Sequence, residues 1–314
     1  MTTADESLPV PAATGNSTAA RAGFWGRFDA WSSRAGELLN PILVKETRQA
    51  LKSKQFLITF ALVLVCGWAW SILGIALSDQ GAGGADAGRE MFMGYFLILG
   101  FPLLVIVPFG AYRSLVGEWE ENTYELLSIS ALKPRQIVSG KLGSSVLQMA
   151  VYLSAIAPCL AFTYLLRGID LPTILFLLFW LVVNSLTSTL LALCLATLSR
   201  AKHWQIVISV VLIAGCLLNF GSFSGGLSDE ILFSSYRMLY FDQGEFWAVN
   251  GMILTAGLGY GALFFLIARA ALMFPSENRS TALRICMVVQ YLLFMSWAFW
   301  LWLFEFPDYE GLAA

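Results

Sequence analysis

Seven long apolar stretches without a charged side chain are the feature that most constrains the fold of this 314-residue chain. A helix needs about 20 mostly apolar residues to cross a bilayer, with a range of roughly 17–25. One such stretch could be a buried helix of a soluble protein, but no soluble core could bury seven of them. The stretches are Gln55–Ser78, Met91–Tyr112, Leu142–Leu166, Leu171–Leu198, Trp204–Phe220, Trp247–Ala268 and Ile285–Phe304.

The composition indicates the same class of protein. Charged residues make up 13% of the chain, whereas a soluble domain usually carries about 25%. We therefore predict an all-α fold, a polytopic bundle of membrane-spanning helices.

Lysine and arginine predict the orientation of these spans. With the N-terminus in the cytoplasm, only Arg89, Arg167 and Arg237 fall on the outer side, and the other basic residues all fall inside. The positive-inside rule favours this arrangement. We therefore expect a multi-pass protein of the plasma (inner) membrane with a cytoplasmic N-terminus.

A short amphipathic helix is predicted just before the first span. Asn40 suits the N-cap and Pro41 the first helical turn. Three basic residues share one face, and four other residues share the opposite face, so the helix should lie in the membrane interface and contact lipid. It is either a generic basic anchor or a connector that also contacts a cytoplasmic partner. The basic face carries Lys45, Arg48 and Lys52, and the opposite face carries Leu43, Thr47, Ala50 and Leu51.

The loop between the second and third spans, residues 113–141, has a pattern of its own. Asn122 and Glu125 have the spacing of a capping box, and apolar residues follow them. Lys133-Pro134 ends the helix, because proline disfavours helical geometry in the residue before it. This short helix could be a knob for a cytosolic partner, or it could rest on the membrane surface within a solvated loop.

The loop resembles that of the permease subunits of ABC-2 type transporters. Their common pattern has a glutamate-bearing stretch, then Gly-Thr-Leu-Glu-Leu-Leu, a proline turn and Ile-Val-x-Gly-Lys before a span. In this chain Asn122 stands where the family often has glycine, and Tyr124 where leucine is common. The segment Asn40–Leu51 also resembles the start of these permeases. The matching residues are Thr123, Glu125, Leu126, Leu127, Pro134, Ile137, Val138, Gly140 and Lys141.

The resemblance implies a permease half of an exporter that works with a separate ATP-binding subunit and a second permease half, identical or related. The loop helix would dock into the ATP-binding subunit, which would bind ATP and Mg²⁺; no cofactor is expected in this chain and no nucleic acid among its partners. The expected partner interface consists of Glu118, Glu120, Glu121, Thr123, Tyr124, Glu125, Leu126, Leu127 and Lys141.

The residue patterns and the resemblance together predict a division of the chain. Residues 1–36 would be a flexible cytoplasmic tail, and 37–54 the amphipathic interfacial connector. Residues 55–271 would form a six-span permease core, with an outer interfacial or re-entrant segment at 221–246. Residues 272–314 would add a connector, a seventh span beyond the usual six of these permeases and an outer tail. The seventh segment could instead pack at the periphery of the bundle.

The sequence contains few residues or motifs typical of catalysis. The only Gly-Lys pair, Gly140-Lys141, precedes Leu142 and lacks the first glycine of a P-loop, so we expect no ATP hydrolysis by this chain. His203 is the only histidine, and no serine lies in a Gly-x-Ser-x-Gly turn. Two other classes remain open: a membrane-embedded structural or assembly subunit that binds a cytosolic partner without transport, and a membrane enzyme.

Within the spans, the polar and small residues indicate packing. Asn184, Ser185 and Ser188 belong to a polar cluster in the fourth stretch that could bond across helices or face a cavity. Gly257 and Gly261 form a Gly-x-x-x-Gly pair, which allows close approach of another helix.

Overall fold

Helices account for all the secondary structure of the residues that the computed structural model describes, which are 41–78, 84–120, 134–165, 169–199, 201–233, 241–274 and 277–305. Predictions for residues 1–40 and 306–314 lie outside this part of the chain. The helices are a connector helix, Pro41–Lys52, followed by Lys54–Ser78, Gly84–Phe101, Val107–Glu120, Pro134–Leu165, Leu171–Ala196, Lys202–Phe233, Gly244–Leu272 and Thr281–Glu305, with a π-helix at Pro102–Ile106.

Within the described residues, seven helical segments are long and apolar enough to cross a membrane, which confirms the predicted helical membrane bundle. The second span is composite: it runs through Gly84–Phe101, the π-helix and Val107–Glu120. The other spans are each one helix, numbered here in chain order. The position of the connector helix in a membrane interface stays a prediction.

Ser53 separates the connector helix from the first span. Its hydroxyl accepts a hydrogen bond of 3.1 Å from the backbone N–H of Phe56 and donates one of 2.8 Å to the carbonyl of Ala50. A serine that accepts a bond from the third helical N–H is a typical N-cap. The chain therefore ends one helix and starts the next within a single residue.

The second span lies at the centre of the bundle. Of the most apolar 18 residues of this span 67% are buried, whereas the corresponding share in the seventh span is 6%. Its first half packs on the first, third and fifth spans, and its second half packs mainly on the fourth. The fully buried side chains of the first half include Phe92, Tyr95, Phe96 and Leu99, which share one hydrophobic core with residues of the third and fourth spans.

The π-helix in the second span has an identifiable cause. The N–H of Val107 donates to the carbonyl of Pro102, five residues earlier, and Pro108 has no N–H to continue the pattern. The carbonyl of Leu103 is thereby left without a partner in its own helix. The hydroxyl of Ser185, from the fourth span, donates a hydrogen bond to it. Ser185 belongs to the polar cluster that is predicted to bond across helices or to face a cavity, and this contact shows that it bonds across helices.

The sixth span approaches the fourth through its glycines. A Cβ atom added to Gly261 would lie 3.2 Å from Cδ1 of Leu190 and 3.6 Å from Cγ2 of Thr187. Such a contact is too close for a larger residue without movement, as expected of a Gly-x-x-x-Gly pair. The seventh span packs on the other side of the sixth, where the indole N–H of Trp297 donates to the hydroxyl of Thr255 at 3.0 Å.

The fifth span extends further than the sequence predicted. Its helix continues without interruption from Lys202 to Phe233, so Gly221–Phe233 prolongs the span and begins no new element. Small residues such as Gly221, Gly225 and Gly226 lie inside this helix. The rest of the predicted outer segment is described only from Phe241 onward.

Candidate functional site

Lys141 lies near the start of the third span and faces the interior of the bundle. Only 2% of the surface of Lys141 is exposed. The neighbouring buried residues of the same helix, Ile137, Ser144 and Ser145, are spaced three or four apart from it. This spacing puts them on one helical face. A lysine on the buried face needs partners, because an isolated ammonium is very unfavourable in an apolar environment.

Two glutamates and one serine supply those partners. Nζ of Lys141 lies 3.2 Å from Oε1 of Glu46 and 3.0 Å from Oε1 of Glu118. It also donates to Ser114, at 3.2 Å to the carbonyl oxygen and 3.3 Å to the hydroxyl. We call Lys141, Glu46, Glu118 and Ser114 the Lys141 cluster. An ammonium has three protons, so these four acceptors satisfy it fully.

The cluster joins three elements. Glu46 belongs to the connector helix, Ser114 and Glu118 to the end of the second span, and Lys141 to the third. Both carboxylate side chains are largely buried, at 11% and 13% exposure. Taking charges out of water costs several kcal/mol for each ion, and a close, hydrogen-bonded partner offsets that cost. The carboxylates of the connector helix and of the second span therefore both depend on the ammonium of the third span for their stability.

The connector helix is oriented as the sequence predicted. Lys45, Arg48 and Lys52 are exposed. The residues predicted for the opposite face, Leu43, Thr47, Ala50 and Leu51, are all half-buried. Basic side chains thus point away from the bundle, where they can reach lipid headgroups or a partner.

Leu43 anchors the connector helix against the third span. A Cβ atom added to Gly143 would lie 2.7 Å from Cδ1 of Leu43, so this leucine occupies the space above the glycine. The contact lies only two residues from Lys141. An apolar contact and an ion pair therefore both hold the connector helix against the start of the third span.

Only part of the predicted partner interface lies within the residues that the structure describes. Glu121, Thr123, Tyr124, Glu125, Leu126 and Leu127 lie outside the described residues. Glu120 is exposed at the last helical position of the second span. Glu118 and Lys141 pair with each other inside the chain, and their predicted contact with a partner stays a prediction.

Glu46 is the member of the cluster that sequence reasoning missed. It is 8% exposed, although its neighbour Lys45 is exposed. The signal was present in the sequence, because Glu46 is three residues after Leu43 and four before Ala50. Those positions share one face of a helix, and a carboxylate on that face indicates a buried partner.

A second polar cluster lies between the fourth and fifth spans. The side-chain amides of Asn184 and Asn219 donate to each other's oxygens, both at 3.2 Å. Asn219 also donates to the hydroxyl of Ser188 at 3.1 Å. The cluster predicted from the sequence therefore bonds across helices, and a reciprocal amide pair fixes the register of the two spans.

In the part of the chain described here, no three His, Cys, Asp or Glu side chains come close enough to hold a metal ion. His203 is exposed at the start of the fifth span, with its ring 5.8 Å from that of Trp204.

Comparison with protein-family models, with curated proteins and with solved structures found no match. The function of this protein has to be inferred from its own residues.

Proposed function

We propose that this chain is the permease subunit of an ABC-2 type transporter, which exports a substrate with energy from a separate ATP-binding subunit. The proposal rests on the resemblance of the loop between the second and third spans and on seven helices able to cross a membrane. It puts the Lys141 end of the bundle in the cytoplasm, because basic residues concentrate there.

The Lys141 cluster is the observation that supports the proposal most directly. A loop that couples ATP hydrolysis to transport has to pass the displacement of a docked subunit to the spans. Glu118 and Lys141 stand at the two ends of the loop, and their side chains meet at 3.0 Å. A loop closed at its base in this way moves the second and third spans together.

The same cluster extends the coupling to the connector helix. Glu46 bonds to Lys141 at 3.2 Å, so a displacement of the loop base also reaches this helix. Its exposed residues Lys45, Arg48 and Lys52 can contact anionic headgroups, each worth about 1 kcal/mol near a charged surface. The connector helix would therefore oppose a displacement of the loop when it binds the membrane surface tightly, and would move with the loop when it binds weakly.

The test is ATP turnover by the native complex. The tagged chain is purified in mild detergent from its own cells and, as a control, from a host that makes only this chain. We expect the native preparation to contain a P-loop protein without membrane spans, at two copies for two copies of the permease, and to hydrolyse ATP. The control preparation should not hydrolyse ATP.

A native preparation without a P-loop protein and without ATP turnover would overturn the proposal. The chain would then be better explained as a membrane-embedded assembly subunit. Robust turnover by the chain from the second host would also overturn it, because hydrolysis is assigned to the partner.

A further inference from the structure

A long apolar groove runs between the third and fourth spans, at the end of the bundle opposite the Lys141 cluster. Its volume is about 610 Å³. The third span lines it with small residues, among them Ser154, Ala157 and Ala161, and the fourth span with larger ones such as Leu175 and Phe179. These residues are exposed in the chain, so the groove opens outward to the surroundings of the bundle.

The length of the groove is that of one membrane leaflet. On the third span the lining runs from Leu153 to Tyr164, and on the fourth from Leu171 to Val182. Eleven helical steps of about 1.5 Å span about 16 Å. The hydrocarbon core is about 30 Å thick, so one leaflet contributes about 15 Å. The groove therefore matches an acyl chain that lies along the helices and ends near the bilayer centre.

A charged group lies beside one end of the groove. Tyr164 lines it near the end of the third span, and Asp170 immediately precedes Leu171, the first lining residue of the fourth span. Asp170 is exposed, and its Oδ1 accepts a hydrogen bond of 2.9 Å from the hydroxyl of Thr173. A fixed carboxylate at the mouth of an apolar groove attracts a cationic group and repels an anionic one.

We propose that this groove binds one phospholipid with an amine-bearing headgroup. One acyl chain lies in the groove, and the ammonium of the headgroup faces Asp170. The volume falls within the roughly 300–1,000 Å³ of ordinary ligand pockets, and the lining is apolar as such a chain requires. The site is separate from the Lys141 cluster and does not depend on the transport proposal.

The first test fills the groove. The variant Ala157→Leu with Ala161→Leu projects two larger side chains into it, and Ala214→Leu, on an exposed face of the fifth span, is the matched control. Each purified chain is exchanged into detergent micelles that contain phosphatidylethanolamine and phosphatidylglycerol, and the retained lipid is counted by native mass spectrometry. Size-exclusion profiles show whether each variant is folded.

We expect the wild type and the control to retain one phosphatidylethanolamine per chain. Excluding one methylene from an apolar site weakens binding by roughly fourfold, so the filled variant should lose retention at least about tenfold. Asp170→Asn should keep a bound lipid but lose the preference for phosphatidylethanolamine over phosphatidylglycerol. These two results together support the proposal.

A second measurement does not depend on the filled variant. Wild-type chain is irradiated with phosphatidylethanolamine that carries a diazirine midway along one acyl chain, and the labelled peptides are mapped. Label concentrated within 153–182 supports the proposal. Label spread evenly over all seven spans overturns it. Equal retention of lipid by the filled variant overturns it too, as does a wild type whose groove is covered by a second copy and retains no lipid.

Discussion

The ammonium of Lys141 lies 3.2 Å from a carboxylate oxygen of Glu46, a residue 95 positions earlier in the chain. This contact fastens the connector helix to the third span in a place where both side chains are largely buried. Removing one member of a buried ion pair is strongly destabilising, because the other charge stays buried without a partner.

Replacing Lys141 by methionine should therefore lower the stability of the folded chain by about 3–5 kcal/mol. Unfolding in SDS-containing mixed micelles measures the change. Lys202→Met, at an exposed position of the fifth span, should have little effect. Adding Glu46→Gln and Glu118→Gln to Lys141→Met should recover much of the loss, since no buried charge then remains. An equal loss in the triple variant would show that the lysine acts through packing alone.

Ser185→Ala should cost about 1–3 kcal/mol, because the buried carbonyl of Leu103 would lose the donor from the fourth span. The same unfolding titration measures it. Ser209→Ala is the matched control, since that hydroxyl bonds only to the carbonyl of Ile206 in its own helix. If both variants unfold alike, the contact across the π-helix contributes nothing to stability.

Gly94→Ala should destabilise the first two spans. The added Cβ would lie 2.0 Å from Cε2 of Trp70, whose indole N–H also donates to the carbonyl of Met91 at 3.1 Å. A rigid ring pinned by a hydrogen bond has little room to move, and overpacking of this kind costs typically 1–3 kcal/mol or more. Gly215→Ala meets nothing within 4 Å and should be neutral or slightly stabilising, because alanine forms a helix more readily than glycine. Thermal unfolding in detergent compares the two, and equal midpoints would contradict the predicted clash.

Truncating Leu126 and Leu127 to alanine should weaken binding of the ATP-binding subunit while leaving membrane insertion intact. A few buried anchors carry most of the energy of an interface, and the resemblance assigns these two leucines to that role. Co-purification and stimulated ATP hydrolysis are measured, with Leu198→Ala, exposed just after the fourth helix, as the control. Unchanged values of both in the double variant would remove the coupling role from these leucines.

A cysteine at position 311 tests the side of the C-terminal tail. The helix Thr281–Glu305 is long enough to cross a membrane, and the basic residues Arg279 and Arg284 before the apolar stretch resist translocation. Gly311→Cys in a background without the native cysteines should therefore react in intact cells with a thiol reagent that does not cross membranes. Labelling that appears only after lysis would mean that the tail stays inside, as expected of a six-span permease.

Most of the helical plan could be predicted from the sequence, because it follows from local patterns. The apolar stretches predicted the seven helices able to span, and the periodicity of the connector helix predicted which of its faces is exposed. Where the fifth helix ends was not predictable, since Gly221 and Gly225 are weak helix formers that remain helical inside the long apolar segment.

The partners of Lys141 could not be predicted from one sequence. Glu46, Glu118 and Lys141 come from three elements, and local sequence patterns do not indicate which helices pack side by side. The fourth and fifth spans pose the same difficulty: the sequence marked Asn184 and Ser188 as polar, but only packing identifies Asn219 as the residue that completes the cluster.

The π-helix at Pro102–Ile106 also determines which residue meets Lys141. A π turn takes up one residue more than an α turn, so each later residue faces about 100° away from where an uninterrupted α-helix would direct it. In such a regular helix Gly117 would face in the direction that Glu118 faces now, and glycine has no side chain that could pair with Lys141. The proline-bounded turn deep in the second span therefore aims the carboxylate that closes the base of the loop.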